Sequence, residues 1–239
     1  GGNFIRKVPG KTSKGFHRVA WDLRYPTPAA VKLDTSKTSK GSGLLVPPGD
    51  YEVQLFKEDG GVMTALSEKE TFTVKRLYEG AIENPMADQR DAFWKDYSDM
   101  VRVADAVTGS MDMLEKRVAA LNQAYERTPN TTAQMALDVK SVTENFNELK
   151  LAVEGNPARN KIGEKNPPTM SDRIFNLYIS IWSNTYGPTE RSMENLEIVK
   201  QDLTKFTETI NQIDQGITSL ASQIYDKGGP WMQGQEIPE

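Results

Sequence analysis

The sequence contains no cysteine and a single histidine, His17. Without cysteine there can be no disulfide, no thiolate nucleophile and no cysteine-ligated zinc. One histidine excludes a metal site with several histidine ligands, and no recognisable partner pattern for a Ser-His-Asp triad surrounds it. We therefore interpret His17 as a strand-edge side chain without a chemical role. The absence of cysteine leaves the compartment open, because a core of this size does not need disulfides.

Long apolar runs and blocks of basic residues are also missing. No stretch reaches the ~18 consecutive apolar residues of a membrane span, so no such span is predicted. The net charge is -4, and no run of five Lys or Arg residues occurs, which argues against a nucleic-acid partner. The start, Gly1-Gly2-Asn3, has neither the basic nor the apolar region of a signal peptide. The sequence thus indicates a cytosolic protein or an internal fragment of a longer one.

The hydrophobic pattern changes its period near residue 80 of the 239 residues. We predict an α+β multidomain chain with β-strands in residues 1–80, long helices in residues 84–227 and a tail at residues 228–239. This division follows from a period of 2 before the change and a heptad period after it.

The strand region is organised around two stretches. In the first, Val19, Trp21 and Leu23 alternate with polar or small residues until Pro26, and in the second a Pro-Pro-Gly turn precedes Tyr51. About five strands are predicted, which indicates a small immunoglobulin-like β-sandwich. Because such sandwiches have about seven strands, the first strand or two would lie upstream. We place Trp21 in the sandwich core with Asp22 capping the turn; a sugar-stacking platform is the alternative for this pair. The predicted strands cover Asn3–Val8, the two organising stretches, Val62–Leu66 and Thr71–Val74, with a hairpin turn at Glu58–Gly61.

The helical region contains three heptad seams and one shorter apolar face. Asn84 and Pro85 have the residue types of an N-cap and a first helical position. The first seam has apolar residues spaced 4,3,4,3 without a break, which is typical of helices packed in a bundle. The seams are Phe93, Tyr97, Met100, Ala104, Val107, Met111, Leu114, Val118, Leu121 and Tyr125; then Met135, Val139, Val142, Phe146, Leu149 and Val153; then Met193, Leu196, Val199, Leu203, Phe206, Ile210, Ile213, Ile217, Leu220 and Ile224; the shorter face has Ile174, Leu177, Tyr178 and Ile181.

Helix lengths suggest how these segments pack. At ~1.5 Å per residue, helices over 85–126 and 189–226 would be ~63 and ~57 Å long, and the two middle helices together would match them. We therefore predict an antiparallel three-helix bundle whose middle helix is interrupted by a loop at 155–169. A four-helix bundle is the alternative. Oligomeric state stays open, because Val101, Val103 and Met113 are apolar positions outside the seam.

Two pairs of stretches carry a resemblance to a known family. Gly15–Pro26, with its Trp21-Asp22 pair, and Pro47–Leu55 are similar to the immunoglobulin-like region near the C-terminus of secreted bacterial proteins with sortilin-type or BNR-repeat β-propellers. Asn166–Ile174 and Ser183–Thr189 resemble the helical segment that follows in those proteins. The flagellar hook-capping protein has a similar Trp-Asp and Gly-x-Tyr pattern, but without these helices.

The resemblance implies a role and a compartment. Family proteins are often labelled glycosyl hydrolases, and that label belongs to the propeller, whose Ser-x-Asp-x-Gly-x-x-Trp box does not occur here. This chain would be a non-catalytic accessory module of a larger periplasmic or secreted protein. Its partner would be the preceding propeller of the same polypeptide. No cofactor and no metal are expected, and the activity of the parent protein stays open.

The loop at 155–168 is the main candidate for binding, because loops of this length in compact domains are often functional. Arg159, Lys161, Arg173, Trp182 and Tyr186 would line a glycan or protein site there. A structural plug, with Arg173 capping a carbonyl, is the alternative. No catalytic residue is predicted, since acidic pairs on a helix are usually solvated surface. Two such pairs have a spacing that could suit glycoside hydrolysis, Glu144 with Glu148 and Asp88 with Asp91.

Overall fold

A computed structural model describes residues 3–37, 41–77, 89–165, 167–182 and 186–237 of the chain. We call residues 3–77 the front segment; it contains six short strands and one 3-10 turn at Thr35–Lys37. Five helices follow within the described residues. The strands are β1 (Arg24–Pro26), β2 (Ser42–Leu45), β3 (Gly49–Val53), β4 (Phe56–Asp59), β5 (Val62–Ala65) and β6 (Glu70–Val74), and the helices are α1 (Arg90–Glu126), α2 (Ala133–Glu154), α3 (Pro157–Lys161), α4 (Met170–Trp182) and α5 (Glu190–Asp226).

The heptad seams form the core of the molecule. Every residue of the first seam is buried except Tyr125, which is partly buried, and Leu121 is completely inaccessible to solvent. In the third seam only Met193 and Phe206 are partly buried, and the rest are buried. The prediction of these buried positions is confirmed. The N-cap predicted at Asn84 and Pro85 lies outside the described residues.

The two long helices run parallel, and the helices between them run the opposite way. Asp96 on α1 accepts from Lys200 on α5, and Arg117 further along α1 donates to Thr218 further along α5, at 3.0 Å each. The two helices therefore run in the same direction. On α2 the order is reversed, because Thr143 bonds Asn122 of α1 while Lys150 bonds Glu115. α4 is likewise antiparallel to α5, since Arg173 donates to Asn195 and Ser192 to Ser180.

The fold class predicted for the front segment is wrong, because the described strands form no sandwich. They make three separate two-stranded antiparallel sheets, β1 with β2, β3 with β6 and β4 with β5. A sandwich core requires two sheets that each bury one face against the other. Every residue of β4 and β5 is instead exposed. Leu44 and Val46 are the buried hydrophobic residues of the described front segment.

The strand predictions fail mainly before residue 24. Neither Asn3–Val8 nor Phe16–Leu23 is a strand, and Leu23 takes a positive φ of 55°, which breaks an extended conformation. β3, β5, β6 and the turn at Gly60-Gly61, with φ of 57° and 82°, occur where the sequence predicts them, whereas β2 and β4 are additional strands. Two-stranded ribbons are marginal on their own. The front segment is therefore positioned by its contacts with the helices, such as Tyr25 and Leu44 against the helical core.

The tail packs back on the bundle after a Schellman turn. Gly228, at φ 83°, donates to the carbonyl of Tyr225, and Gly229 donates to that of Ile224, which is the hydrogen-bond pair of that motif. Met232 is then buried, whereas Trp231 remains 45% exposed. Met232, rather than Trp231, is thus the residue that anchors the tail.

A capping box begins α4. The amide and hydroxyl of Thr169 donate to Oδ2 of Asp172 at 2.9 and 2.8 Å, and the Asp172 amide donates back to the Thr169 hydroxyl at 3.2 Å. These bonds satisfy backbone groups that a helix start leaves open. They also hold the pKa of Asp172 below its ordinary value.

We expect Asp172→Asn to destabilise the protein at neutral pH and not at strongly acidic pH. Because the folded-state pKa is depressed, the ionised carboxylate contributes stability above its unfolded pKa of ~3.9, and this contribution is lost as the pH falls through the folded value. Urea unfolding of both proteins between about pH 7 and pH 2 measures the difference. Asp138→Asn is the control, because Asp138 bonds the Gln134 side chain and caps no helix. A difference that persists unchanged in acid would contradict the assignment.

Candidate functional site

Arginine side chains meet where the front segment joins one end of the bundle, and we call this region the bundle head. The N-terminal ends of the parallel helices α1 and α5 lie there together with the C-terminal end of α4. Arg24 comes from β1 and Arg90 is the first residue of α1. Burial lowers the pKa of Arg90, and the nearby charges of Arg76 and Arg24 lower it further. Three arginines from separate segments are therefore grouped in a protein whose net charge is -4.

Arg24 is held by an aromatic ring and a backbone carbonyl. Its guanidinium carbon lies 4.1 Å from the ring centroid of Trp182, within the range of a cation–π interaction. Its Nη1 donates to the carbonyl of Gly43 at 3.3 Å. Trp182 also stacks on Tyr178, with ring centroids 5.3 Å apart. Both contacts use the faces of the Trp182 ring, so this ring packs between β1 and the rest of α4.

At the bundle head Arg90 is buried and the neighbouring Asp91 is partly buried. Arg90 is only 8% exposed, and its Nε has no hydrogen-bond acceptor in the part of the chain that the structure describes. Oδ1 of Asp91 is likewise buried and has no hydrogen-bond donor among the described residues. Desolvation lowers the pKa of Arg90 and raises that of Asp91, and each charge partly offsets the effect on the other. A buried donor without an acceptor is costly, and the described residues supply no acceptor for this Nε.

A cavity of about 220 Å³ opens beside Arg90. Hydroxyl groups and the start of α5 form most of its polar wall. Thr189 is the N-cap of α5, and its Oγ1 accepts from the Ser192 amide at 3.1 Å. The cavity is therefore lined by one buried cation, several hydroxyls and a helix N-terminus. Its lining residues are Arg90, Phe93, Ser180, Ile181, Tyr186, Gly187, Pro188, Thr189 and Ser192.

The five predicted binding residues do not form one site around the loop. Arg159 and Lys161 lie on α3, where Arg159 pairs with Glu164 at 3.8 Å. Arg173 and Trp182 lie at opposite ends of α4, about 13 Å apart along its axis. Tyr186 lines the cavity at the bundle head. The structure brings Trp182 and Tyr186 to that end, while Arg173 bonds Asn195 of α5 at 2.9 Å.

A second cavity, of about 260 Å³, lies where α2 ends and α4 begins. Asp112 and Glu154 are its carboxylates. Among the described residues no three His, Cys, Asp or Glu side chains are grouped to hold a metal ion. Of the acidic pairs weighed above, Glu144 pairs with Lys140 at 3.7 Å, and Asp88 lies outside the described residues.

Trp21 and Asp22 have local structural roles. Trp21 meets Tyr51 and Phe72 edge-on, with ring centroids 5.8 and 6.2 Å away. Asp22 accepts from the Arg24 amide at 3.1 Å, so it caps the turn as predicted. Burial raises the pKa of Tyr51 to about 12. His17 is partly buried outside any strand, and its Nε2 lies 2.7 Å from the carbonyl oxygen of Ser13.

Sequence reasoning missed Arg90, although a signal for it was present. The 4,3,4,3 spacing of the first seam, extended backwards from Phe93, reaches residue 90. A charged residue at a core position of a heptad is unusual and indicates a special role. The role of Arg24 carried no comparable signal, because its contact with Trp182 joins residues that are 158 positions apart.

The chain was compared with protein-family models, with characterised proteins and with solved structures. None of the described helices has the length and apolarity needed to cross a bilayer. The three comparisons find no match for this chain, in sequence family, in curated relatives or in fold.

Proposed function

We propose that this chain is a non-catalytic accessory module of a larger secreted protein with a BNR or sortilin-type β-propeller, and that the front segment docks on the rest of that protein. The resemblance of Gly15–Pro26 and Pro47–Leu55 supplies the propeller and the compartment. The helices supply a rigid support about 56 Å long, at ~1.5 Å per residue for the 37 residues of α1.

The observation that carries this proposal is the exposure of apolar side chains in the front segment. Phe16 is 95% exposed and Leu77 is 98% exposed. Scattered apolar side chains are normal on a surface, but a concentration of them marks an interaction site. We call residues 49–74, which contain the sheet of β3 with β6 and the sheet of β4 with β5, the ribbon. Its exposed large apolar side chains are Val53, Leu55, Phe56, Val62, Met63 and Leu66.

The ribbon is suited to contact with another polypeptide because apolar residues lie on both of its faces. Phe56 pairs with Ala65, and Glu58 with Met63, across β4 and β5, which puts Phe56 and Met63 on the same face. Leu55 and Leu66 pair next to them, through the Leu66 amide and the Leu55 carbonyl at 2.8 Å, and point to the other face. Contact through such side chains would remove apolar area from water at about 25 cal/mol per Å².

The first test is an immunoblot of fractionated source cells with antiserum against this chain, read for size and compartment together. We expect a band several times larger than 26.7 kDa in the periplasmic or secreted fraction. A cytosolic band at 26.7 kDa would refute the proposal. In that case binding through the loop at 155–168 becomes the next function to test.

A matched pair of substitutions tests the docking surface in the parent protein. Leu55 on the ribbon and Leu137 on α2 are both 60% exposed. We expect Leu55→Glu to speed proteolytic separation of the module from its parent at least several-fold, because a buried carboxylate at the contact is costly. Leu137→Glu should leave the rate unchanged. Equal rates for the two variants would exclude the ribbon as the docking surface.

A further inference from the structure

The bundle head combines three sources of positive potential. Arg90 is a full charge removed from water, and Arg24 and Arg76 lie close enough to act on it. The N-terminal ends of α1 and α5 each add roughly half an elementary charge. The carboxylate of Asp91 and the C-terminal carbonyls of α4 oppose this potential, and Glu190, in the first turn of α5, is exposed. The balance favours an anion in the cavity beside Arg90.

The cavity also has the size for an oxyanion and a helix N-terminus in its wall. The hydroxyls of Ser180, Thr189 and Ser192 bond one another or the Leu177 carbonyl. The donors for an anion are therefore the guanidinium of Arg90 and the first amides of α5, which point towards the N-terminal end of that helix. A volume of about 220 Å³ equals roughly seven water molecules at ~30 Å³ each. This is enough for one phosphate-sized group and some water.

We propose that the cavity formed by Arg90 and the start of α5 binds a single phosphate-like oxyanion, either free or carried by a larger ligand. The anion would accept hydrogen bonds from the guanidinium of Arg90, whose Nε has no acceptor among the described residues. Charge-assisted bonds of this kind are the strong ones. Arg24, stacked on Trp182, would add longer-range attraction. This inference does not depend on the docking of the front segment.

The test is a titration of the ¹⁵N-labelled full chain with potassium phosphate, followed by NMR, with potassium chloride keeping the ionic strength constant. We expect saturable shifts of the backbone amides at 187, 189–192 and 90–93. Arg90→Gln should weaken phosphate binding at least tenfold. Arg102→Gln is the control, because Arg102 lies on the same helix with a 68% exposed side chain, and it should bind phosphate like the parent chain.

Several results would overturn the proposal. These are shifts that do not saturate, shifts spread over surface lysines, and equal binding by the parent chain and Arg90→Gln. If Arg90→Gln does not fold, the position and saturation of the shifts in the parent chain decide the question alone. Titration with phenyl phosphate separates the two sources of the anion, since tighter binding than that of inorganic phosphate indicates a group carried by a larger ligand.

Discussion

Replacing Leu121 by alanine is expected to destabilise the protein by about 3 kcal/mol, because a large side chain leaves a cavity in a close-packed core. Leu121 is 0% exposed and lies in the seam of α1, on the turn where Asn122 reaches Thr143 of α2 at 3.1 Å. For a domain of this size, that loss lowers the melting temperature by roughly 6–12 °C. Urea unfolding followed by circular dichroism measures the free energy directly.

Leu137→Ala is the matched control for Leu121→Ala. Leu137 is also on a bundle helix but is 60% exposed, so its truncation leaves no cavity, and alanine has the higher helix propensity. We expect a change within about 0.5 kcal/mol. If the two variants lose equal stability, α1 does not pack against its neighbours through the predicted seam.

Gly229→Ala is expected to cost about 2 kcal/mol or more, since there is no room for a methyl group at this position. A Cβ at residue 229 would lie 2.3 Å from Oγ1 of Thr128 and 2.8 Å from the backbone oxygen of Ile224. The backbone atom cannot rotate away as a flexible side chain can. The substitution would therefore break the Schellman turn and release the tail that buries Met232, which unfolding experiments and proteolysis of the tail would both detect.

Gly109→Ala serves as the opposite control. No atom lies within 4 Å of a Cβ at this position, which is exposed on α1. Alanine is favoured over glycine in a helix by roughly 0.5–1 kcal/mol, so this variant should be more stable than the parent chain. A Gly229→Ala protein that is as stable as the parent, with its tail still protected, would show that the turn is looser than described.

The buried arginine at the bundle head and the exposed apolar side chains on the ribbon have different implications for function. At the head, Arg90 is only 8% exposed, and its guanidinium needs a partner that accepts hydrogen bonds. On the ribbon, exposed leucine and phenylalanine side chains need one that removes water. The two proposals therefore concern different surfaces and different chemistry, and either can fail without the other.

Helix positions could be predicted from the sequence because a heptad period reports burial through local spacing alone. The predicted ends at 126 and 226 are those of α1 and α5, and α5 starts at Glu190 behind its N-cap Thr189, one residue after the predicted start at 189. The short helix α3, five residues inside the predicted loop, was not predicted, because one turn of helix has no periodic signal.

The front segment could not be predicted in the same way. Alternation of Val19, Trp21 and Leu23 matches a half-buried strand, yet whether such a segment pairs depends on partners distant in sequence. Here Val19 is 51% exposed, and the chain turns at Leu23 to bring Arg24 onto Trp182. The sandwich was inferred from strand-like patterns whose pairing the sequence does not encode locally.

The sequence by itself determined which residues are buried in the helices, where the long helices end, and that cysteine and multi-histidine chemistry are excluded. Those properties depend on residue type and on spacing within one turn or one heptad. Only the tertiary structure decided that the strands stay in separate pairs and that Arg24, Arg76 and Arg90 gather at the bundle head. Both outcomes depend on contacts between segments far apart in the chain, whose free energies are set by packing and desolvation rather than by local pattern.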